Sequence, residues 1–229
     1  MGRILFIETS TALCSTALSE DGKIISRRSN CERKHASLTA PFVQEMLEEC
    51  EIGIKDCDAV CVGMGPGSYT GLRVGVSTAK GLCFGAGIPM IGVGSLDILV
   101  WQAIGKGLLP EGCKHIVPMI DARRMEVYTA VYTPDGERIG EIEPKIVEEG
   151  SFSNILAEGP VLFIGDGALK CKDVIKSPSA TFVEAYPEAE FMLEIATRKL
   201  AAREFEDVAY CEPFYLKQFV PTVSKKKVF

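Results

Sequence analysis

Residues 63–80 (GMGPGSYTGLRVGVSTAK) carry the arrangement best suited to chemistry, a glycine-dense loop that runs into a helix. Residues 58–62 (DAVCV) before it read as a buried strand, and the helix reads from Thr70 onward. Glycines at 63, 65, 67 and 71 permit positive φ and let another group come close to the backbone. Free N–H groups at a helix start favour an anion such as phosphate. The spacing is not that of a standard nucleotide loop: no Gly-Lys-Ser/Thr triplet follows, and the glycines do not fit GxGxxG. A tight turn that merely seats a helix against a sheet is the competing reading.

Other reactive side chains are sparse. The two histidines, His35 and His115, stand far apart in sequence, and Thr39 occupies the place one helical turn after His35. A metal site ordinarily needs three or more protein ligands, so neither histidine points to one. Neither sits in a nucleophile context, so a Ser-His-Asp reading has no support and a metallopeptidase would need a bound metal to be credible. Glu8 and Asp121 each end an apolar strand. They suit either Mg²⁺ held through water beside phosphates or the stabilisation of hairpin turns. Arg73 and Lys80 suit a phosphate, a partner's carboxylate or a helix-surface salt bridge.

The composition is that of an ordinary globular chain, with 229 residues, 47% hydrophobic and 24% charged. That length allows one large domain or two modest ones. A net charge of −6 argues against capture of nucleic acid by the whole surface. Residues 224–227 (SKKK) form one small basic run, read as a solvated tail. Nine cysteines without a C-x-x-C pair, with Cys57 and Cys61 poorly placed for joint ligation, fit reduced thiols in a cytoplasmic protein. The sequence enters a strand at residues 3–7 with no secretory signal. The uncharged run between Lys80 and Asp97 is too short, and too broken by Gly and Pro89, to span a membrane.

The elements that must position these groups follow an α/β pattern. Residues 3–8 and 15–19 read as strands, and Asp21-Gly22 turns the chain into a third at 23–29. Residues 36–50 show the helical period, with Leu38, Phe42, Val43, Met46 and Leu47 on one side. After the glycine loop come a helix to about Ala86, a strand at 89–93 and a helix at 95–103 with Ser95 as expected N-cap. Residues 105–112 read as a linker. The pattern then returns: 116–121 echoes 4–8, 126–133 echoes the second strand, Asp135-Gly136 repeats Asp21-Gly22, and 161–167 resembles 60–65. Matching landmarks in the same order indicate a duplicated βββαβα unit, with chance strand-turn-strand similarity as the competitor. The expected domains are 1–104 and 105–229. Residues 187–204 read as an amphipathic helix, and the last ~20 residues are expected to pack back on the first domain.

Two such units facing one another resemble the two-lobed actin-like ATPase plan (an RNase H-like fold) shared by actin, Hsp70 and sugar kinases. In that plan a hairpin turn with an acidic residue from each half straddles the nucleotide phosphates. The resemblance makes Glu8, Ser10, Gly65, Gly67, Ser68 and Asp121 the nucleotide-binding candidates. It also supplies an alternative function, a small-molecule kinase or ATPase using the interlobe cleft.

IETST (7–11), ERKHAS (32–37), GPGSYTGLRVGVSTAKGL (65–82), DARRMEVY (121–128), GDGA (165–168) and PFYLK (213–217) together resemble the TsaB (YeaZ) family over nearly the whole chain. That resemblance implies an accessory, non-catalytic subunit needed for N6-threonylcarbamoyladenosine (t6A) at position 37 of tRNAs reading ANN codons. It implies a heterodimer with TsaD, which performs the transfer, and association with the ATPase TsaE. It further implies an indirect link to the adenylate-forming enzyme and tRNA, and a homodimer when the partner is missing. No catalytic residue, metal or firm cofactor is implied for this subunit; ATP or ADP with Mg²⁺ is expected only in the complex with TsaD. The helix 70–85 is apolar on more than one face and rich in small residues, which fits burial within the monomer or a second helix from a partner. The resemblance favours the partner and assigns to that interface His35, Leu38, Phe42, Leu72, Arg73, Gly75, Val76, Ala79 and Leu82.

Overall fold

The computed structural model describes residues 2–32 and 34–217. The basic run at 224–227 lies outside the described residues.

Strands β1 (Arg3–Glu8), β2 (Cys14–Glu20) and β3 (Lys23–Asn30) form an antiparallel meander. Helix α1 (His35–Glu49) then leads to β4 (Ala59–Gly65), helix α2 (Tyr69–Ala86) and β5 (Met90–Gly94). β4 pairs parallel with both β1 and β5, giving the order β3-β2-β1-β4-β5. Helix α3 (Ser95–Gly105) crosses to the second half. There β6 (His115–Asp121), β7 (Glu126–Tyr132) and β8 (Arg138–Ile146) repeat the meander. Helix α4 (Ser153–Glu158), β9 (Val161–Ile164), helix α5 (Ala168–Cys171) and β10 (Ala180–Val183) follow. The order is β10-β9-β6-β7-β8, the first sheet repeated strand for strand. The duplication read from the sequence is therefore a duplication of topology.

Packing explains why β1 and β6 are apolar on consecutive positions: each sheet is covered on both faces. Leu5 and Ile7 of β1 meet Val43 and Met46 of α1 and Val76, Ala79 and Cys83 of α2. Ile4 and Phe6 point the other way, against Ile98 of α3 and Met192 and Ala196 of the C-terminal segment. In the second sheet Ile116 and Ile120 face Leu96, Leu99, Val100 and Ala103 of α3. Val117 and Met119 face Ile155, Ala168 and Cys171 of α4 and α5. Helix α3 is thus apolar around its circumference because it is the layer shared by both sheets.

Several boundaries differ from expectation. Ser95 is the first residue of α3 rather than its cap; Gly94 takes that place, and the Ser95 hydroxyl is buried without a partner among the described residues. The amphipathic segment at 187–204 divides into a 3-10 turn, Ala189–Met192, followed by α6 (Leu193–Ala202). Division of the chain at residue 104/105 separates the two sheets, but α6 follows the second sheet in sequence and packs on the first. Residues 206–217 then run along the first lobe. The Glu206 N–H donates to the Met90 carbonyl, Lys80 Nζ donates to the carbonyls of Ala209 (3.2 Å) and Cys211 (2.9 Å), and the Phe214 N–H donates to the Met64 carbonyl (2.7 Å).

Candidate functional site: the interlobe cleft and the helix pair

The two β-hairpin turns and the two strand-to-helix loops converge on a cleft of about 690 Å³ between the lobes. Its first wall is the turn Ser10–Ala12, His35 and the start of α2; its second is the β6–β7 turn with Asp166; residues 214–217 close one side.

The first wall is built by close backbone approach. The Ser68 N–H donates to the Ser10 carbonyl (2.6 Å), and the Ser68 hydroxyl caps α2 by accepting from the Gly71 N–H (3.3 Å). A Cβ on Gly67 would lie 2.3 Å from the Ser10 carbonyl oxygen, and one on Gly71 2.0 Å from that of Thr9. These glycines are required by the approach of the β1–β2 turn. Gly65 has φ +106° and is covered by the Phe214 carbonyl, 2.8 Å from where a Cβ would stand. His35 is buried, and its Nε2 meets the Thr11 carbonyl at 2.8 Å. A carbonyl only accepts, so Nε2 carries the proton and Nδ1 is left as an acceptor. His35 Nδ1 and the Thr11 hydroxyl are both buried without a partner among the described residues.

The carboxylates of the two lobes have opposite environments. Glu8 is fully buried, accepts from the Ser10 N–H, and its Oε2 packs against Gly63, where a Cβ would come within 1.9 Å. Burial pushes its carboxyl up to about 7. Asp121 is exposed; its Oδ1 accepts from Lys170 Nζ (2.5 Å) and from the Arg123 N–H (2.7 Å). The Asp121 N–H in turn donates to Asp166 Oδ1 (2.9 Å), and burial pushes the Asp166 carboxyl up to about 6.

Of the nucleotide candidates, then, Gly67, Ser68 and Asp121 face the cleft, whereas Glu8, Ser10 and Gly65 are buried. Ser10 still lines the wall through its turn. A magnesium nucleotide does not fit this set, since one of its two carboxylates is turned into the core and held where burial favours the neutral form. Among the described residues no group of three or more His, Cys, Asp or Glu side chains could hold a metal ion.

The helix pair is the second candidate site, and here the structure corrects half of the sequence assignment. Leu72, Gly75, Val76 and Ala79 are buried inside the monomer, because α2 turns these positions toward β1, β4 and the β1–β2 turn, and His35, the first residue of α1, is buried against the Thr11 carbonyl. A Cβ on Gly75 would stand 2.3 Å from Thr9 Oγ1. Leu38, Phe42 and Leu82 are half-buried and Arg73 is exposed, beside Val74, Ser77, Thr78 and Gly81 on the outward face. Phe84 is 85% exposed. Among the described residues neither Lys80 nor Arg73 forms a helix-surface salt bridge: Lys80 holds backbone carbonyls, and the Arg73 guanidinium lies 4.2 Å from the Tyr69 ring centre.

Residue types alone do not single out Thr11, Arg123, Arg124, Tyr128, Tyr215 or Lys217, although the DARRMEVY and PFYLK segments contain five of them. The signal is present as motif membership, without a role attached.

Comparison with known proteins settles the family. The family model described as "TsaD: tRNA N6-adenosine threonylcarbamoyltransferase" matches residues 27–211. The chain is 35% identical to the tRNA threonylcarbamoyladenosine biosynthesis protein TsaB of Escherichia coli (strain K12), over 95% of this chain and 96% of that protein. The chain belongs to the TsaB family. The TsaB of Bacillus subtilis (strain 168) is 33% identical over 78% of this chain and 77% of its own length. The solved structure of YeaZ from Pseudomonas aeruginosa superposes with a TM-score of 0.80 at 27% identity, over 94% of this chain and all of that one. The two five-stranded sheets accord with the actin-like fold of these TsaB relatives. Among the described residues no helix is long and apolar enough to cross a membrane.

Proposed function

We propose that this TsaB-family chain is a non-catalytic accessory subunit in t6A formation at position 37 of ANN-decoding tRNAs, and that it binds and activates a TsaD partner together with TsaE. The observation that carries the reading is the outward face of the α1–α2 pair. Leu38, Phe42, Val74 and Leu82 give it apolar surface, while Ser77, Gly81 and Gly85 keep it low. No heavy atom lies within 4 Å of a Cβ built on Gly81 or Gly85, so a partner helix can approach the backbone there. A face of this kind, apolar at Leu38, Phe42, Val74 and Leu82 and low at its glycines, is suited to a helical bundle between subunits or, without the partner, to a homodimer.

The inward-turned Glu8 supports the non-catalytic half of the reading. A nucleotide with Mg²⁺ is then held where this chain meets TsaD, with this subunit contributing position rather than chemistry. Transfer of the threonylcarbamoyl group from its adenylate stays with the partner.

Gly81→Arg tests the interface without touching the core, which Gly75→Arg cannot do because Gly75 packs on Thr9. Gly81→Arg is expected to keep the thermal midpoint of the parent and weaken TsaD binding at least ~10-fold by calorimetry, since an unpaired charge is then desolvated. Unchanged affinity would remove the interface. A mixture of TsaD, TsaE and the adenylate-forming enzyme that modifies tRNA equally well without this chain would remove the function. Steady ATP hydrolysis by the isolated chain would do the same for its non-catalytic status.

A further inference from the structure

The arginines of the chain differ in what they meet. Arg3, Arg27, Arg28 and Arg198 are ion-paired with Glu20, Glu190, Glu49 and Glu194. Arg73, Arg123 and Arg124 have no carboxylate partner among the described residues: Arg123 lines the interlobe cleft, Arg124 follows it exposed in the same turn, and the Arg73 guanidinium lies over the Tyr69 ring, which lines the cleft. Arg123 and Arg124 are held there at a conformational cost. Their φ values are +72° and +50°, two successive left-handed residues without a glycine, in the β6–β7 turn. Two of the three acids beside them are ion-paired, Asp121 with Lys170 and Glu126 with Lys217, while the half-buried Asp166 accepts from the Asp121 N–H. The rim is therefore locally cationic on a chain of net charge −6.

Between the arginines lies an aromatic surface. The Tyr69 and Tyr215 rings are 4.6 Å apart, Phe214 is 44% exposed, and Tyr128 lines the same cleft. The cleft wall adds two buried polar groups with no partner among the described residues, the Thr11 hydroxyl and His35 Nδ1, beside the start of the long helix α2. Guanidinia for phosphate, aromatic rings for stacking and orphaned hydrogen-bonding groups on a wall are what an unstacked nucleotide in a single strand requires. A duplex would present phosphates alone and leave the rings and the wall unused.

We infer that the mouth of the interlobe cleft is a binding surface for single-stranded RNA, with phosphates on Arg123 and Arg124 and a base stacked on the Tyr69–Tyr215 surface. The inference rests on the accessory-subunit reading only for which RNA is met, the loop of the tRNA being modified. It places the phosphates on the second lobe and the base between the strap and the first residue of α2, at the start of that helix rather than along the Val74–Gly85 face assigned to the protein partner.

The test is fluorescence anisotropy of the full chain with a labelled RNA stem-loop, against a blunt duplex of equal length and against free AMP. The stem-loop is expected to bind more tightly than either, with affinity falling as salt rises from about 50 to 200 mM. Arg123→Gln/Arg124→Gln is expected to reduce the slope of log affinity against log salt by about 2, one for each phosphate that no longer meets an arginine. Tyr215→Ala is expected to weaken stem-loop binding ~10-fold while leaving the slope unchanged. Both variants are expected to keep the parent's circular dichroism spectrum and its affinity for TsaD. Equal binding of the duplex, AMP binding as tight as the stem-loop with the same arginine dependence, an unchanged salt slope, or no stem-loop binding at low salt would each overturn the RNA site. None of these outcomes touches the accessory-subunit reading, which fails on the partner, reconstitution and ATP-hydrolysis assays given above.

Discussion

The two lobes share one strand order and almost nothing else at the corresponding ends of their strands. In the first, Glu8 is sealed behind the β1–β2 turn and Gly63; in the second, Asp121 stands in solvent with Lys170 and the Arg123 amide on its oxygen. After the parallel strand, the first lobe continues into the 18-residue α2 and the second into the four-residue α5. A duplicated scaffold thus keeps its topology through backbone pairing and apolar alternation, which many sequences satisfy. The two carboxylate positions have meanwhile acquired unrelated surroundings. One lobe has become a tightly closed support for a long helix. The other presents an open polar rim.

The largest effect that would break this contrast is a methyl group in the closed lobe. Gly71→Ala places a Cβ 2.0 Å from the Thr9 carbonyl, a backbone atom that cannot swing aside. The loss is expected to exceed about 3 kcal/mol in urea unfolding, the range of overpacking that displaces backbone. Lys172→Ala, on the exposed end of α5 in the open lobe, is expected to stay within about 0.5 kcal/mol. A Gly71→Ala chain as stable as the parent would mean the β1–β2 turn is not packed on α2.

The next effect sharpens the electrostatic side. Glu8 titrates near 7 in the folded chain against 4.5 for an exposed carboxyl, because burial disfavours its charged form. The folded state therefore binds the proton more tightly than the unfolded state. Its contribution is fully present below about pH 4.5 and is lost as pH rises through 7. Asp166, raised from 3.8 to about 6, adds a slope of the same sign over the lower part of that window. Glu8→Gln is expected to flatten the fall in stability between about pH 5 and 8 and to stabilise the chain at pH 8, by about 3 kcal/mol at most. Asp121→Asn, at an exposed and paired group, is expected to change stability at pH 7 by less than about 1 kcal/mol. Unfolding midpoints across pH for the two variants read the difference directly. Parallel curves for Glu8→Gln and the parent would place Glu8 in solvent.

Much of this is legible in the sequence because it depends on local pattern. The runs RILFIE and IVPMID announce doubly covered strands, and the Asp-Gly turns fix both hairpins. The glycines at 67 and 71 mark where another backbone comes close, although the backbone proves to be the chain's own turn at Thr9 and Ser10. Orientation is not legible in the same way. A helix apolar on several faces does not announce which face meets the sheet, so Leu72, Gly75, Val76 and Ala79 read as outward positions and yet point inward. His35 reads as an interface residue through the resemblance alone, because nothing in its neighbourhood foretells the Thr11 carbonyl. The strap at 206–217 has no periodicity at all. Much of its hold comes from its own main-chain groups, bonded to Met90, Met64 and Lys80, and main-chain groups carry no residue signature. Glu8 and Asp121 look equivalent for a related reason, since burial is a property of the fold around a carboxylate and not of the residues beside it.

The smallest effect separates the outward from the inward side of α2 itself. Gly81 lies within the helix with no heavy atom near a built Cβ, unlike Gly71 and Gly75 on the same helix. A methyl group there restricts the unfolded chain and costs the folded monomer nothing. Gly81→Ala is thus expected to stabilise the monomer by about 0.5–1 kcal/mol in urea unfolding. On a face that receives another helix, the same methyl holds the two backbones further apart. The variant is therefore expected to bind TsaD more weakly than the parent even as it unfolds later. Opposite signs from one methyl group follow only if the outward side of α2 is free in the monomer and covered in the complex. Tighter partner binding with the same stability gain would mean that the partner helix crosses elsewhere on the first lobe.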